Sequence, residues 1–376
     1  MNPVASPARH PARVDAAVDG VAVNAYSIPT DSPEADGTFE WRQTTLVVVE
    51  IDGGGRRGLG YTYADAAAAT LIRGSLAGLM HGRSVMDVPA AWVALVRAVR
   101  NIGRPGIAAS AIAAIDAALW DLKARLLDVP LVTLLGAVRP AIDVYGSGGF
   151  TSYPIDALQD QFAAWIGAGI RRVKMKIGRD AEADLARVRA ARDAIGQAEL
   201  FVDANGAYDR KRALAVAEAL EPFGVSWFEE PVSSDDLEGL RLMRDRAPAA
   251  MEIAAGEYGY DLRYFRRMLE AGAVDVLQAD ATRCAGITGF LQVGALCDAF
   301  AIPLSAHTAP SLHLAPCCAL GPARHVEYFH DHVRIEQMLF DGAQRPRGDG
   351  CLYPDLSRPG LGLELKRADA SRFEVR

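Results

Sequence analysis

The sequence predicts an α/β protein: a closed barrel of eight parallel strands, of the TIM type, preceded by a smaller α+β unit. Three observations predict it. After Ile142, short β-rich runs alternate eight times with helical stretches, and such alternation makes right-handed βαβ units that close into a barrel at eight strands. Before Ile142 the pattern differs, with extended runs followed by helical periodicity. Finally, neither GxGxxG nor GxxxxGKS/T occurs, although an open doubly wound sheet normally carries such a loop after its first strand.

Composition narrows the function. A chain of 376 residues suits one large domain plus a companion. Half the residues are apolar and 23% are charged, enough for a packed core, which excludes disorder. Lys and Arg number 40 against 47 Asp and Glu, a net charge of -7 with no basic run, so nucleic acid is not an expected partner. The five cysteines, from Cys284 to Cys351, show no CxxC spacing and read as reduced thiols. No run reaches the roughly 18 apolar residues of a membrane span, and the opening MNPVASPARHPARV lacks the core of a secretory signal. The expectation is a cytoplasmic protein, free of membrane, with a flexible N-terminus over residues 1–16.

Taken in order, GVAVNAYSI and TTLVVVEI predict a small antiparallel meander, separated by a polar Pro/Asp/Gly loop that runs through Gly37. Helical periodicity follows over 65–135, clearest in IAAIDAALWDLKARLL, and Val129-Pro130 stops it. Residues 17–138 therefore read as an α+β capping unit and 139–340 as the barrel. Its strands are DVYGSGG, RVKMKIG, ELFVDANG, VSWFEEP, MEIAAGE, VDVLQAD, IPLSAH and HVEYF. The Gly- and Pro-rich segment 341–376 is expected to return over the cap.

The polar residues fall at the C-terminal ends of these strands, one βα unit apart, where a barrel places its active site. They are Lys174 and Lys176, Asp203 and Asn205, Glu229 and Glu230, Glu257, Asp280, His307 and Glu327. Asp203, Glu229 and Glu257 would repel one another in a low-dielectric mouth unless a cation joined them. An all-oxygen set with room for substrate suits Mg²⁺. Lys174 and Lys176 are two apart and share a strand face, so each should depress the other's pKa and leave one available as a base. His307 and Asp280 end neighbouring strands and can form a dyad that fixes the imidazole tautomer. Glu327 can donate or share a hydrogen bond with a substrate oxygen if its pKa is raised, or else pair with Arg324 or Arg334. His313, His325, His330 and His332 read as structural or surface residues.

With VKMKIG at 173–178, VDANG at 202–206, WFEEP at 227–231, AAGE at 254–257, LQADATRCAGITG around Asp280 and SAH at 305–307, the chain resembles the enolase superfamily, mandelate racemase subgroup. The resemblance implies an N-terminal cap, a modified (β/α)₇β barrel, and Mg²⁺ on Asp203, Glu229 and Glu257. It implies abstraction of the proton α to a carboxylate, with the metal stabilising the enediolate. Lys176, assisted by Lys174, would serve one face of the substrate and His307 with Asp280 the other, while Glu327 would be the electrophilic partner. Asn205, Glu230 and Arg283 would meet the substrate, and cap loops within 28–41 and 58–65 would choose it. Where dipeptide epimerases and lactone-forming members use a lysine after the sixth strand, this chain has Arg283, which cannot serve as a base but can bind a second carboxylate. The leading expectation is dehydration of an aldonic or aldaric acid sugar to a 2-keto-3-deoxy acid. A racemase or epimerase of a small α-hydroxy acid and a non-catalytic ligand-binding barrel are the alternatives. Homo-oligomerisation is a habit of the resembling family.

Overall fold

The computed structural model describes residues 16–375, so the flexible N-terminus expected over 1–16 lies outside the described residues except for Ala16. Three antiparallel strands open the chain, β1 (Val18–Ala35), β2 (Glu40–Gly53) and β3 (Arg56–Tyr63), in that order across the sheet. β1 runs further than the sequence suggests. The segment read as a polar loop stays extended to Ala35, with a break in register between Pro29 and Glu34. Pro29 and Pro33 have no N–H to give, so the ladder lapses there while the backbone remains extended. The hairpin tip is set by Asp36, whose Oδ1 accepts from the N–H groups of Thr38 (2.6 Å) and Phe39 (2.7 Å).

Helices occupy much of the stretch that follows, chiefly α1 (Ala67–Leu71), α2 (Val88–Ala98) and α3 (Ile107–Leu126). α3 is alanine-rich and largely buried. It lies so close to β3 that a Cβ on Gly58 would stand 2.3 Å from the Ala118 carbonyl oxygen, and one on Gly60 2.2 Å from that of Ala114. Only glycine fits at either position, and the small side chains of α3 complete the approach.

The barrel strands are β4 (Ile142–Gly148), β5 (Arg172–Lys176), β6 (Glu199–Asp203), β7 (Val225–Glu229), β8 (Glu252–Ala255), β9 (Val276–Ala279), β10 (Leu304–Ala306) and β11 (Ala323–Phe329). Each pairs in parallel with the next, and β11 pairs with β4 to close the ring. Period-two alternation sorts the side chains. Val173, Met175, Val202 and Phe228 join the large core beneath the outer helices, whereas Tyr145, Phe201, Trp227, Ala254 and Val276 form a separate cluster. That inner cluster, with Phe201 and Trp227 stacked 5.0 Å apart, plugs the barrel as packed layers do in this fold.

Beyond residue 340 the chain touches both units. Cys351–Leu352 pairs antiparallel with β4, Gly360 bridges to Pro130, Arg367 pairs with Glu50, and the Val375 N–H donates to the Ala25 carbonyl. No helix among the described residues is long and apolar enough to cross a membrane.

Candidate active site

The charged layer stands on the aromatic plug. Two residues beyond Phe201 and Trp227 on the same strand faces come Asp203 and Glu229, and the register sets Lys176, Asp203 and Glu229 side by side. Glu257 arrives differently. The backbone turns at Gly256 with φ +133°, where a Cβ would sit 2.1 Å from the Gln278 carbonyl oxygen, so the AAGE motif needs its glycine to bring Glu257 back over the mouth. Asp203, Glu229 and Glu257 each offer a carboxylate oxygen within 4.8 Å of the others. Asn205, Glu230, Thr308 and Ala309, just past these strand ends, all have left-handed backbone, a concentration of strain that fits a functional rim.

Lys174 Nζ contacts Glu229 Oε1 at 2.6 Å, Glu327 Oε1 at 2.8 Å and Asp203 Oδ2 at 3.6 Å, and lies 5.2 Å from the centre of the Tyr145 ring. It is fully buried and is not part of the cleft wall, so it neutralises carboxylates from below. Lys176 does reach the cleft, with Nζ 2.5 Å from Asp203 Oδ2 and 3.1 Å from Asn205 Oδ1. The mutual depression of the two lysines is outweighed. Burial and the neighbouring ammonium act to lower the Lys176 pKa, but Asp203, Glu257 and Glu229 pull harder and hold it above the ordinary lysine value.

On the other wall His307 Nδ1 is 2.9 Å from Asp280 Oδ2, and Nε2 faces Glu257 Oε2 at 3.3 Å and Glu327 Oε2 at 3.8 Å. Burial works against the charge of Asp280. The hydrogen bond from His307 and the charges of His307, His313 and Arg283 nevertheless hold its carboxyl below the usual range. Glu327 does not pair with the arginines named as alternatives, because Arg324 binds Glu252 and Arg334 binds Asp331. Its Oε2 instead accepts from the Thr308 N–H at 3.0 Å.

The residues at hand fit a hard dication. Glu229 and Glu230 are pushed well above the carboxylate range, first by burial and then by neighbouring acids. Glu230 Oε1 is buried without a hydrogen-bond donor, Glu257 Oε2 has only the His307 imidazole beside it at 3.3 Å, and the ligand atoms on offer are all oxygen. A cation shared by Asp203, Glu229 and Glu257 removes the repulsion that burial makes so costly.

The cleft above these groups measures about 530 Å³. Asn205 and Arg283 line it as expected; Glu230 does not, because the left-handed turn at φ +39° leaves it buried behind the carboxylate cluster. His332, read from sequence as structural or surface, also lines it, its ring stacked 3.4 Å from that of Tyr63. Of the remaining histidines, His313 and His325 are buried and hydrogen-bonded, and His330 pairs with Asp31 at 2.9 Å. Tyr258, Thr308 and Phe329 complete the barrel side, and the cap adds Asp36, Phe39, Trp41, Gln43, Thr44, Thr45, Tyr63, Ala64 and Asp65. Thr308 and Tyr258 directly follow the SAH and AAGE motifs, a signal that could have found them. Asp36, Phe39, Trp41, Tyr63, Ala64 and Asp65 fall within the cap segments 28–41 and 58–65 expected at the substrate, whereas Gln43, Thr44 and Thr45 on β2 lie outside them.

Two family models match the chain: the mandelate racemase / muconate lactonizing enzyme N-terminal domain over residues 27–136, and the enolase C-terminal domain-like model over 157–370. The chain belongs to the mandelate racemase subgroup of the enolase superfamily. Within it, a mandelate racemase/muconate lactonizing enzyme-like protein from Rubrobacter xylanophilus superposes with a TM-score of 0.94 at 53% identity, over 96% of this chain and all of the other. The 3,6-anhydro-α-L-galactonate cycloisomerase of Streptomyces coelicolor is 34% identical over 95% of this chain and 99% of its own length. The L-talarate/galactarate dehydratase of Salmonella typhimurium is 31% identical over 93% of this chain and 89% of its own. A crystal structure of that dehydratase with Mg and L-lyxarohydroxamate gives a TM-score of 0.87 at 29% identity, covering all of this chain and 97% of the other.

Proposed function

We propose that the protein is a Mg²⁺-dependent hydro-lyase that dehydrates an acid sugar to a 2-keto-3-deoxy acid. One observation carries the reading: two proton carriers, Lys176 and the Asp280-held His307, open from different walls onto one cleft beside a triad of carboxylates. The likeness to a sugar-acid dehydratase over nearly the whole chain supports the same reading. Asp203, Glu229 and Glu257 would hold the ion. Bound there, Mg²⁺ would stabilise the negative charge that grows on the substrate carboxylate and offset the pull of the acids on the Lys176 proton.

Lys176, once neutral, takes the proton from the carbon next to the carboxylate. His307, protonated at Nε2 and held through Nδ1 by Asp280, hands a proton to the oxygen leaving the next carbon. The C–H and C–O bonds break, water departs, and the resulting enol becomes the ketone, so that the substrate loses one H₂O in all. Glu327, fixed by the Thr308 N–H, lines the same cleft. Although burial opposes its charge, Lys174, His307 and Lys176 hold its carboxyl below the usual range, so it has no proton of its own to share with the substrate. Lys174 keeps the buried acids from repelling one another.

A second reading has its own support, in the cycloisomerase that is 34% identical. A 3,6-anhydro sugar acid carries its 3-oxygen in an ether ring. The same two proton transfers would open that ring without loss of water.

The test is proton NMR in D₂O, with Mg²⁺, over acid sugars and small α-hydroxy acids. The proposal expects loss of the α-proton signal and new methylene signals of a 3-deoxy product. Exchange or inversion at the α-carbon with the skeleton intact would replace it by racemisation. No reaction with any acid sugar would remove it.

A further inference from the structure

We infer that the substrate carries a single carboxylate, at the metal end, and a neutral hydroxylated tail: an aldonic acid or its anhydro form, not an aldaric diacid. The inference rests on the acid-sugar reading and deepens it. Its ground is the distribution of charge along the cleft.

Both cationic side chains that line the cleft, Lys176 and Arg283, stand at the barrel end and face acids already there. Lys176 Nζ is 2.5 Å from Asp203. Arg283 lies 3.3 Å from Glu257 Oε1 and 3.7 Å from Asp280 Oδ2, and donates to the Glu257 carbonyl at 3.1 Å. Its planar fork is thus turned toward the triad and the His307 dyad. A substrate carboxylate at that end also meets the charge of the cation held by the triad.

The cap end has the opposite character. Its polar lining is Asp36, Gln43, Thr44, Thr45, Tyr63 and Asp65, with no lysine or arginine among the described residues that form the wall. Thr44 is itself bound to a further acid, Asp331. His332 adds no charge, since burial and then the charge of His307 push it down to about 3. Hydroxyl and amide groups there can exchange hydrogen bonds with a polyol tail, each within the ordinary range of such contacts. A second carboxylate would instead lie near Asp36 and Asp65 with no cation on that wall to meet it, and like charges without a counter-charge disfavour its binding. Arg283 is therefore not the receptor for a second carboxylate that the sequence alone allowed.

The experiment compares matched pairs, galactonate with galactarate and gluconate with glucarate, in two ways. Binding to the Mg²⁺-loaded Lys176→Ala protein is measured by calorimetry, and kcat/KM is measured with the parent. The expectation is that each aldonate binds at least tenfold more tightly than its diacid, and that any turnover follows the same order. Asp65→Asn, which removes one negative charge from the cap wall, should narrow the ratio. Equal or tighter binding of the diacids overturns the inference even if they are dehydrated and the proposed reaction stands. A ratio unmoved by Asp65→Asn overturns the electrostatic argument, and failure of both acids of every pair to bind overturns the inference with the acid-sugar reading. Preferential aldonate binding with no dehydration would remove the reaction and leave the tail preference supported.

Discussion

Along the seam between cap and barrel, Asp116, Asp121 and Glu336 are as deeply buried as Asp203, Glu229 and Glu257 at the barrel mouth. The two sets differ in what faces them. Each seam acid stands apart and has a fixed donor at both oxygens. Thr288 gives Asp116 its N–H and its hydroxyl (2.8 and 2.6 Å). Asp121 receives the N–H groups of Leu59 and Leu361 and the guanidinium of Arg125, and Glu336 receives Tyr61 and Ser311. At the mouth the acids crowd together, lean on two lysines, and leave Glu230 Oε1 with no donor and Glu257 Oε2 with only the His307 imidazole at 3.3 Å. Burial alone does not separate structural acids from functional ones; the donors do. Seam acids serve stability, because removing one strands buried N–H groups, whereas mouth acids are held against their own repulsion.

The largest effect should come from breaking the mouth. Glu229→Gln and Glu257→Gln are expected to lose Mg²⁺ binding and, since a bound dication contributes several kcal/mol, to lower kcat about 10³-fold or more. Without metal, Glu229→Gln should melt level with the parent or higher, since burial and neighbouring acids already disfavour its charge. Glu257→Gln should melt lower, because it loses the charges of His307 and Arg283 that, against burial, hold its carboxyl below the usual range. Calorimetric titration with Mg²⁺ and thermal melts in chelator check both halves. Tight Mg²⁺ binding by either variant would sink the assignment of the triad.

Next come the proton carriers. Lys176→Ala should lower kcat by about 10² to 10⁴ and abolish exchange of the α-proton in D₂O. His307→Asn should stop elimination by a similar factor yet leave slow α-proton exchange, because Lys176 is intact. If exchange survives in Lys176→Ala and vanishes in His307→Asn, the two roles are reversed.

How much of this was legible beforehand differs between the same two regions. The mouth was readable because a βα repeat turns sequence spacing into spatial proximity: Asp203, Glu229, Glu257, Asp280 and His307 recur at the strand ends and so face one opening. The closed barrel followed from the same alternation, and the cap from its absence before Ile142, where extended runs give way to helical periodicity. The family resemblance sets Glu230 at the substrate, but alternation and a left-handed turn leave its side chain buried and outside the cleft wall. The lysine pair was read as mutually depressing because the sequence shows two like charges and hides the acids packed around them. The seam was illegible: Asp116 lies in a run of helical periodicity, and nothing there reveals Thr288 on another domain. His332 and the β2 part of the cap wall, Gln43 to Thr45, escape the sequence for the same reason, since contacts across the seam leave no periodic trace.

The seam can be tested from the stability side. Asp116→Ala leaves the Thr288 N–H without an acceptor at the start of the helix Gly286–Ala299. An unsatisfied buried donor costs about 1–3 kcal/mol, so urea unfolding should shift by that amount while kcat per folded molecule stays unchanged. A loss of turnover without a loss of stability would move Asp116 into the functional set.

Glu34 sharpens the comparison most finely, because it combines features of both regions. It is fully buried like the seam acids, and its Oε2 accepts from Trp41 Nε1 at 2.8 Å. Its Oε1, however, has no donor, and burial followed by the charge of Asp331 pushes its pKa from 4.5 up to about 9. At neutral pH the folded protein therefore keeps it protonated. The sign of the consequence is fixed by linkage: below pH 4.5 folded and unfolded chains both hold the proton, and between pH 4.5 and about 9 the unfolded chain gives it up while the folded chain retains it. Stability should then fall as pH rises, by about 1.4 kcal/mol per unit from this group, and level off above the folded pKa. Glu34→Gln, neutral at every pH and still able to accept from Trp41, lacks that slope, so its advantage over the parent should be absent at pH 4 and grow steadily toward pH 9. Urea midpoints of both proteins across that range decide it: a gap that does not widen means that Glu34 is ionised when folded, and that its single bond from Trp41 suffices to place it with the acids of the seam.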